Sequence, residues 1–269
     1  IREDYGPNGL LGYDLVNGYA DVTSYTQLAA FTCNGLLIAL TRGQMTGKMA
    51  PLVKYVGLSC REWVASQRAF GRPEVTFCWL LQQPEICRRR CMDTRMMDTL
   101  NRRIQGSMDA PVNNFITPGS LTTAIGVGLF YRKVRLGQTE IDRLGAETVA
   151  LSHDGALAFL SVLAHMVSRC LYEPEIPLKN LVLESINAVK EQFGRQYSQC
   201  YELSSLLNMA VHLTETPSSS HAEVMEQLHC ENAAQVLAGA IYACIAGNEQ
   251  FDPSLVIAVN HSGRSSAVG

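Results

Sequence analysis

Apolar residues that recur every three to four positions are the feature that most constrains this chain. Met49, Leu52, Val53, Val56, Cys60, Trp63 and Val64 follow the i, i+3, i+4, i+7 pattern of one helix face. Pro51 sits in the first turn, where its missing N–H does no harm. Leu178, Leu181, Val182, Ile186, Val189 and Phe193 repeat the pattern, with Pro177 as a start and Gly194 as a stop. Leu203, Leu206, Leu207, Ala210 and Val211 make another helix, closed by Thr216-Pro217 and a serine run. Leu157, Leu160, Leu163, Ala164, Val167 and Leu171 make a fourth. Gln27 to Leu40 is apolar nearly all round and predicts a buried central helix, and Ala-rich Glu231 to Ala246 is similar. Only short pieces such as Val75 to Trp79 alternate with period two, and helix suits them as well. Gly6 to Val22, Gly71 to Asp93, Asp109 to Ser120 and Thr214 to Ser220 read as loops. The fold class expected is all-α, one compact multi-helix domain over residues 1–269 with no interior linker and no internal repeat.

Composition supports a packed core. Of 269 residues, 47% are hydrophobic and 17% charged, which excludes a disordered chain. The net charge of −3 gives no electrostatic case for a nucleic-acid partner or a membrane surface. The longest apolar runs, such as Leu36 to Leu40, are far short of a membrane span. Nine cysteines are scattered without a Cys-x-x-Cys, and the Cys87/Cys91 spacing alone is a weak zinc signal. Reduced thiols in a cytoplasmic protein are the expectation.

Two segments carry a resemblance. One is Tyr5-Gly6-Pro7-Asn8-Gly9, then Gly12 to Ala20, Thr23-Ser24-Tyr25-Thr26-Gln27 and Phe31 to Leu37. The other is Ala258-Val259-Asn260-His261-Ser262-Gly263. Between them Pro111-Val112-Asn113, Gly128-Leu129-Phe130, Leu136-Gly137, Ile141 to Ala146 and Leu151-Ser152-His153 follow in compatible order. Together they resemble the ADP-ribosylglycohydrolase family, the relatives of dinitrogenase-reductase-activating glycohydrolase, over essentially the whole chain. The resemblance implies an all-α fold whose cleft holds two Mg²⁺ ions, which help break the bond between ADP-ribose and its acceptor. It also implies ADP-ribose or an ADP-ribosylated protein as partner. It sets Asn113, Asn114, Gly119, His153 and His261 at possible ligand-binding positions. The family's Gly-Asp-Ala-Leu-Gly segment is expected before Ile1 and its final helices after Gly269, so the domain is expected to be incomplete at both ends.

The chain departs from the family at the metal ligands. The family's early Thr-Asp-Asp-Thr reads Thr23-Ser24-Tyr25-Thr26 here. Its late Gly-Asp-x-Asp-[Ser/Thr] reads Gly263-Arg264-Ser265-Ser266-Ala267. Two hydroxyls, a phenol and a guanidinium stand where four carboxylates are implied. At roughly 4 Å and an effective dielectric near 20, two unit charges interact by about 4 kcal/mol, and a dication feels about twice that from one Arg. Hydroxyls do not replace carboxylates for so hard an ion. No resident cofactor is therefore expected, and an impaired or inactive homologue is the leading expectation. The rivals are an active ADP-ribosyl or N-glycosyl hydrolase using Asp14, Asp21 or His261 with Arg264 as an electrophilic clamp, and a structural or partner-binding protein. The family's Ser-Lys-Gly-Cys-Gly-like loop is matched by Phe115-Ile116-Thr117-Pro118-Gly119, where only Gly119 survives.

Several side chains keep two readings. His153 and His261 either line the cleft or are satisfied packing histidines, while His165 reads as packing. Arg88-Arg89-Arg90 with Arg95, Arg102 and Arg103 either binds phosphate or an acidic partner, or is a solvated surface. Arg264 either holds a phosphate or carboxylate near the former metal position, or points to solvent. Tyr25 either stacks on a base or ribose or fills the site with its ring, and the second is preferred.

Overall fold

The computed structural model describes residues 2–15, 17–69, 77–130, 137–216 and 220–269. Val16, Val75, Thr76, Leu136 and Pro217 to Ser219, which entered the motifs, strand segment and loops above, lie outside the described residues. The described residues form α-helices and short 3₁₀ turns with no β-strand, so the chain is all-α. Contacts divide it into two compact units, residues 22–172 and residues 1–21 with 173–269.

The unit of residues 22–172 is built on α2 (Ser24–Thr46) and α3 (Leu52–Arg68). Its other helices are α4 (Thr94–Leu100), α5 (Gly119–Phe130), α6 (Gln138–Ala150) and α7 (Val162–Tyr172). The central helix outruns its expected limits at both ends. It runs on to Gly47, whose left-handed backbone (φ 68°) returns its N–H to Gly43 O at 2.9 Å. In α3 Pro51 is the N-cap rather than a first-turn residue, and Met49 lies outside the helix. Val56, Cys60, Trp63 and Val64 are fully buried, as their spacing predicts. Each fully buried side chain of this size contributes roughly 2 kcal/mol of transfer free energy.

The helix expected over 157–171 changes character. Gly155–Ser161 is 3₁₀, and α7 begins only at Val162. Three-residue spacing puts Leu157 and Leu160 on one buried edge, which the tighter helix serves as well as an α-turn. The expected loop 71–93 contains a 3₁₀ turn at Trp79–Gln82, and the expected loop 109–120 ends where α5 starts. α5 packs against α2, α6 and α7, so its sequence has no polar face to betray it. Its Gly128 lies so close to α7 that a Cβ would meet Ala164 O and Val167 Cβ, each at 2.7 Å. His165 does more than pack. Its Nδ1 hydrogen-bonds Asp142 Oδ2 at 2.8 Å, joining α7 to α6 through two side chains no more than 4% exposed.

In the other unit α11 (Ala233–Ala246) packs against α9 (Gln199–Leu213), α12 (Phe251–Val259) and α13 (Ser265–Val268). α8 (Leu178–Phe193) packs on α9, and α10 (His221–Gln227) on α12. α1 is the single turn Arg2–Tyr5. Asn232 caps α11 by accepting from Gln235 N at 3.0 Å, while Gln235 Oε1 accepts from Asn232 N at 3.2 Å. That reciprocal box starts the helix two residues later than its composition suggests. Gly194 follows α8 in right-handed backbone (φ −63°), so the helix stops without the left-handed turn expected of a glycine.

Candidate functional site

The sequence-predicted positions fall in both units. Thr23, Ser24, Tyr25, Asn113, Asn114, Gly119 and His153 belong to residues 22–172, and His261, Arg264, Ser266 and Ala267 to the other unit.

At the start of α2, Thr23 is the N-cap in extended backbone but makes no side-chain cap. Ser24 is buried, and its hydroxyl donates to Cys91 O at 2.7 Å. Tyr25 is half-buried. The carbonyl of Arg88 accepts from Gln27 Nε2 at 2.7 Å and from Gln67 Nε2 at 3.4 Å, and Gln67 Oε1 accepts from Arg90 N at 2.9 Å. Both glutamines are buried, and Trp63 Nε1 donates to Gln27 Oε1 at 3.2 Å. Arg90 Nε reaches back to Val22 O at 2.9 Å. Buried side chains of α2 and α3 thus hold residues 88–91 as a strap beside the first turn of α2.

Asn113, Gly119 and His153 are brought together nearby in the same unit. Asn113 Nδ2 donates to Ser152 O at 2.8 Å, and its Oδ1 accepts from Phe115 N at 3.0 Å. Gly119 lies against Met96 and the His153 ring. His153 is fully buried, with Thr117 Oγ1 at 2.9 Å from Nε2 and Ser152 Oγ at 2.7 Å from Nδ1. Burial pushes its pKa down to about 4, against a smaller opposing pull from Asp93. The ring is a neutral polar core group with both nitrogens engaged. Asn114 is exposed.

The late motif is a tight turn between α12 and α13. Asn260 clamps Leu10, accepting from its N and donating to its O, both at 2.8 Å. Gly9, at φ 67°, passes so close that a Cβ would overlap Asn260 Oδ1. His261 Nδ1 accepts from Gly263 N at 3.1 Å, so the ring proton is on Nε2, which donates to Ala258 O at 3.0 Å. Burial lowers the His261 pKa, with Ala258 and the Glu226 and Glu231 charges opposing. Ser262 donates its N–H to Glu226 Oε1 at 2.8 Å and its hydroxyl to Glu226 Oε2. Gly263 lies against the carbonyls of His229 and Cys230, consecutive left-handed residues (φ 61° and 51°). Arg264 N donates to Cys230 O at 2.9 Å, and its exposed guanidinium faces Glu231, Nε to Oε2 3.6 Å. Ser266 is exposed and Ala267 half-buried. Within this unit a cleft of about 380 Å³ opens beside the turn, lined among others by Glu3, Asn8, Glu226, Asn260, His261 and Ser262.

A family model described as ADP-ribosylglycohydrolase matches residues 1–269. The chain belongs to the ADP-ribosylglycohydrolase family. No curated protein and no solved structure matches it.

In this family member the residues at each of the two ligand motifs are a poor fit to Mg²⁺, which binds through hard, mostly anionic oxygens. Ser24 is a neutral hydroxyl, Arg264 is a cation facing its own carboxylate, and Ser266 offers only an exposed hydroxyl. Among the described residues no group of three or more His, Cys, Asp or Glu is placed to hold a metal ion. Also among them, no helix is long and apolar enough to cross a membrane. Sequence reasoning missed Gln27, Gln67 and Glu226. The polar residue Gln27 at the head of a mostly apolar helical run was one available signal.

Proposed function

We propose that this chain is a cytoplasmic ADP-ribosylglycohydrolase-family protein that binds ADP-ribose or an ADP-ribosylated protein without Mg²⁺-dependent hydrolysis. The observation that carries this reading is the chemistry at the four ligand positions. Ser24, Tyr25, Arg264 and Ser266 supply no carboxylate. Ser24 offers a neutral hydroxyl in place of a carboxylate, and Arg264 would repel a dication, so neither position attracts one. With no metal to activate water, the family scaffold is left with recognition of the ADP-ribosyl group.

The test is a pair of calorimetric titrations and one assay. Mg²⁺ titrated into the protein gives no saturable heat below millimolar concentration, while ADP-ribose gives a heat that is the same with Mg²⁺ or with a chelator. Incubation with an ADP-ribosylated protein releases no ADP-ribose. Tight Mg²⁺ binding, or release that requires Mg²⁺, overturns the proposal. Release that is independent of Mg²⁺ and lost in Arg264→Ala establishes the substitute-residue hydrolase instead. Absence of any heat with ADP-ribose leaves a structural or partner-binding role.

A further inference from the structure

A net charge of −3 hides two opposed populations of charge. Residues 22–172 carry seventeen Lys and Arg against ten Asp and Glu, a net of +7. Residues 1–21 with 173–269 carry five against fifteen, a net of −10. Within the basic unit the charge concentrates in residues 88–103, which hold six arginines, two aspartates and no lysine.

That segment is held in place. The backbone of residues 88–91 is fixed by four side-chain hydrogen bonds from buried Ser24, Gln27 and Gln67. Arg95 is locked in a double hydrogen bond to Asp93, Nε to Oδ1 3.2 Å and Nη2 to Oδ2 2.9 Å. Its guanidinium also lies 4.9 Å from the centre of the Phe115 ring. Asp98 is taken up by Arg68. Both local acids are therefore engaged, while Arg89, Arg102 and Arg103 stand exposed, and Ile104, 80% exposed, follows the last two. Buried polar groups are costly unless hydrogen-bonded. Here two buried glutamines are committed to a surface strap, which lowers the ordering cost of any partner that uses it.

We propose that residues 88–103, the pinned strap of residues 88–91 with α4 and the arginines that follow it, dock an acidic polypeptide segment of a partner protein. Guanidinium forks match carboxylate geometry pairwise, and an all-arginine set favours that fit over diffuse charge attraction. Ile104 offers an apolar contact beside the charges, which a side chain of a peptide can cover and a small anion cannot. The exposed arginines flank α4, Arg89 before it and Arg102 and Arg103 after it, which suits a chain carrying several carboxylates better than one small anion.

The test uses the whole chain and a fluorescent fifteen-residue peptide of glutamate pairs interrupted by leucine, read by anisotropy. Binding appears at low salt and weakens as salt rises. Arg89→Glu with Arg102→Glu and Arg103→Glu lowers the affinity about tenfold or more, since several surface charge pairs are reversed together. The control R42E/K48E reverses two exposed charges at the opposite end of α2 from Ser24 and leaves affinity within about twofold, because distant surface charges are screened. Gln67→Leu, which keeps the charge but removes two of the four bonds that hold the strap, lowers affinity several-fold with thermal unfolding still cooperative. Equal losses in the strap and control variants, or full affinity in folded Q67L, overturn the proposal. So does a labelled thymidine oligonucleotide of equal charge that binds more tightly than the peptide, or no salt-dependent binding of the peptide at all.

Discussion

Burial, more than any charged neighbour, sets the behaviour of His153. Its pKa lies near 4 in the folded protein against an ordinary 6.5. The unfolded chain takes up this proton first as pH falls, so stability is full above about pH 6.5 and declines toward pH 4, by about 3 kcal/mol in all. Urea unfolding at pH 7 and pH 4.5 measures it, and His153→Gln removes that part of the pH dependence. The location of such residues was only half legible in the sequence. Family order put Asn113, Gly119 and His153 on one list with Asn114, yet the first three converge around Ser152 and Met96 while Asn114 is exposed. Order along a chain says which residue types occur, not which nitrogen meets which hydroxyl. Ser24 and Arg264 make the same point. The replacement of carboxylate is plain in the sequence, but that Ser24 turns to Cys91 and Arg264 to Glu231 follows from neighbours far away or in a separate turn.

At the scale of elements, α3, α8 and α9 were legible from an apolar stripe and α2 and α11 from long apolar runs, whereas α5 was not. α3, α8 and α9 present an apolar stripe to a neighbour, and the stripe has the helical period. α5 is enclosed by α2, α6 and α7, so no polar face marks its phase. Its close contact with α7 is testable. Gly128→Ala places a methyl against the backbone of Ala164, which cannot rotate away as a side chain would. Overpacking of this kind costs about 1–3 kcal/mol. A thermal melt therefore drops by roughly 5 °C, with an unchanged helical circular-dichroism spectrum at 20 °C if the fold is kept. The conversion of the expected 157–171 helix into a 3₁₀ stretch and α7 shows the limit of periodicity itself. Leucines three apart satisfy both helices, and the choice depends on the bonds available at the turn.

At the scale of the whole molecule, one unit is assembled from both ends of the chain. Asn260 hydrogen-bonds Leu10 across 250 residues of sequence. Asn260→Ala removes both bonds and the one to Val256, and costs about 2 kcal/mol. Amide exchange and limited proteolysis in residues 2–15 quicken in the variant, while α5 and α6 exchange as before. Because that unit joins residues 1–21 to 173–269, its charge could not be summed from any continuous stretch, and the near-neutral total of −3 concealed a basic and an acidic unit. The total bore only on nucleic acid and membrane, and of the two readings of the arginine cluster the proposal takes the acidic partner, at residues 88–103. By itself the sequence determined the all-α class, the family and the absence of four carboxylates, because periodicity and residue identity are local properties. Only the tertiary structure decided that buried Gln27 and Gln67 pin the arginine strap, that both ring nitrogens of His153 and His261 are engaged, and how charge divides between the units. Each depends on which distant residues the folded chain brings within a few ångströms of one another, and hydrogen bonds and desolvation act over only that range.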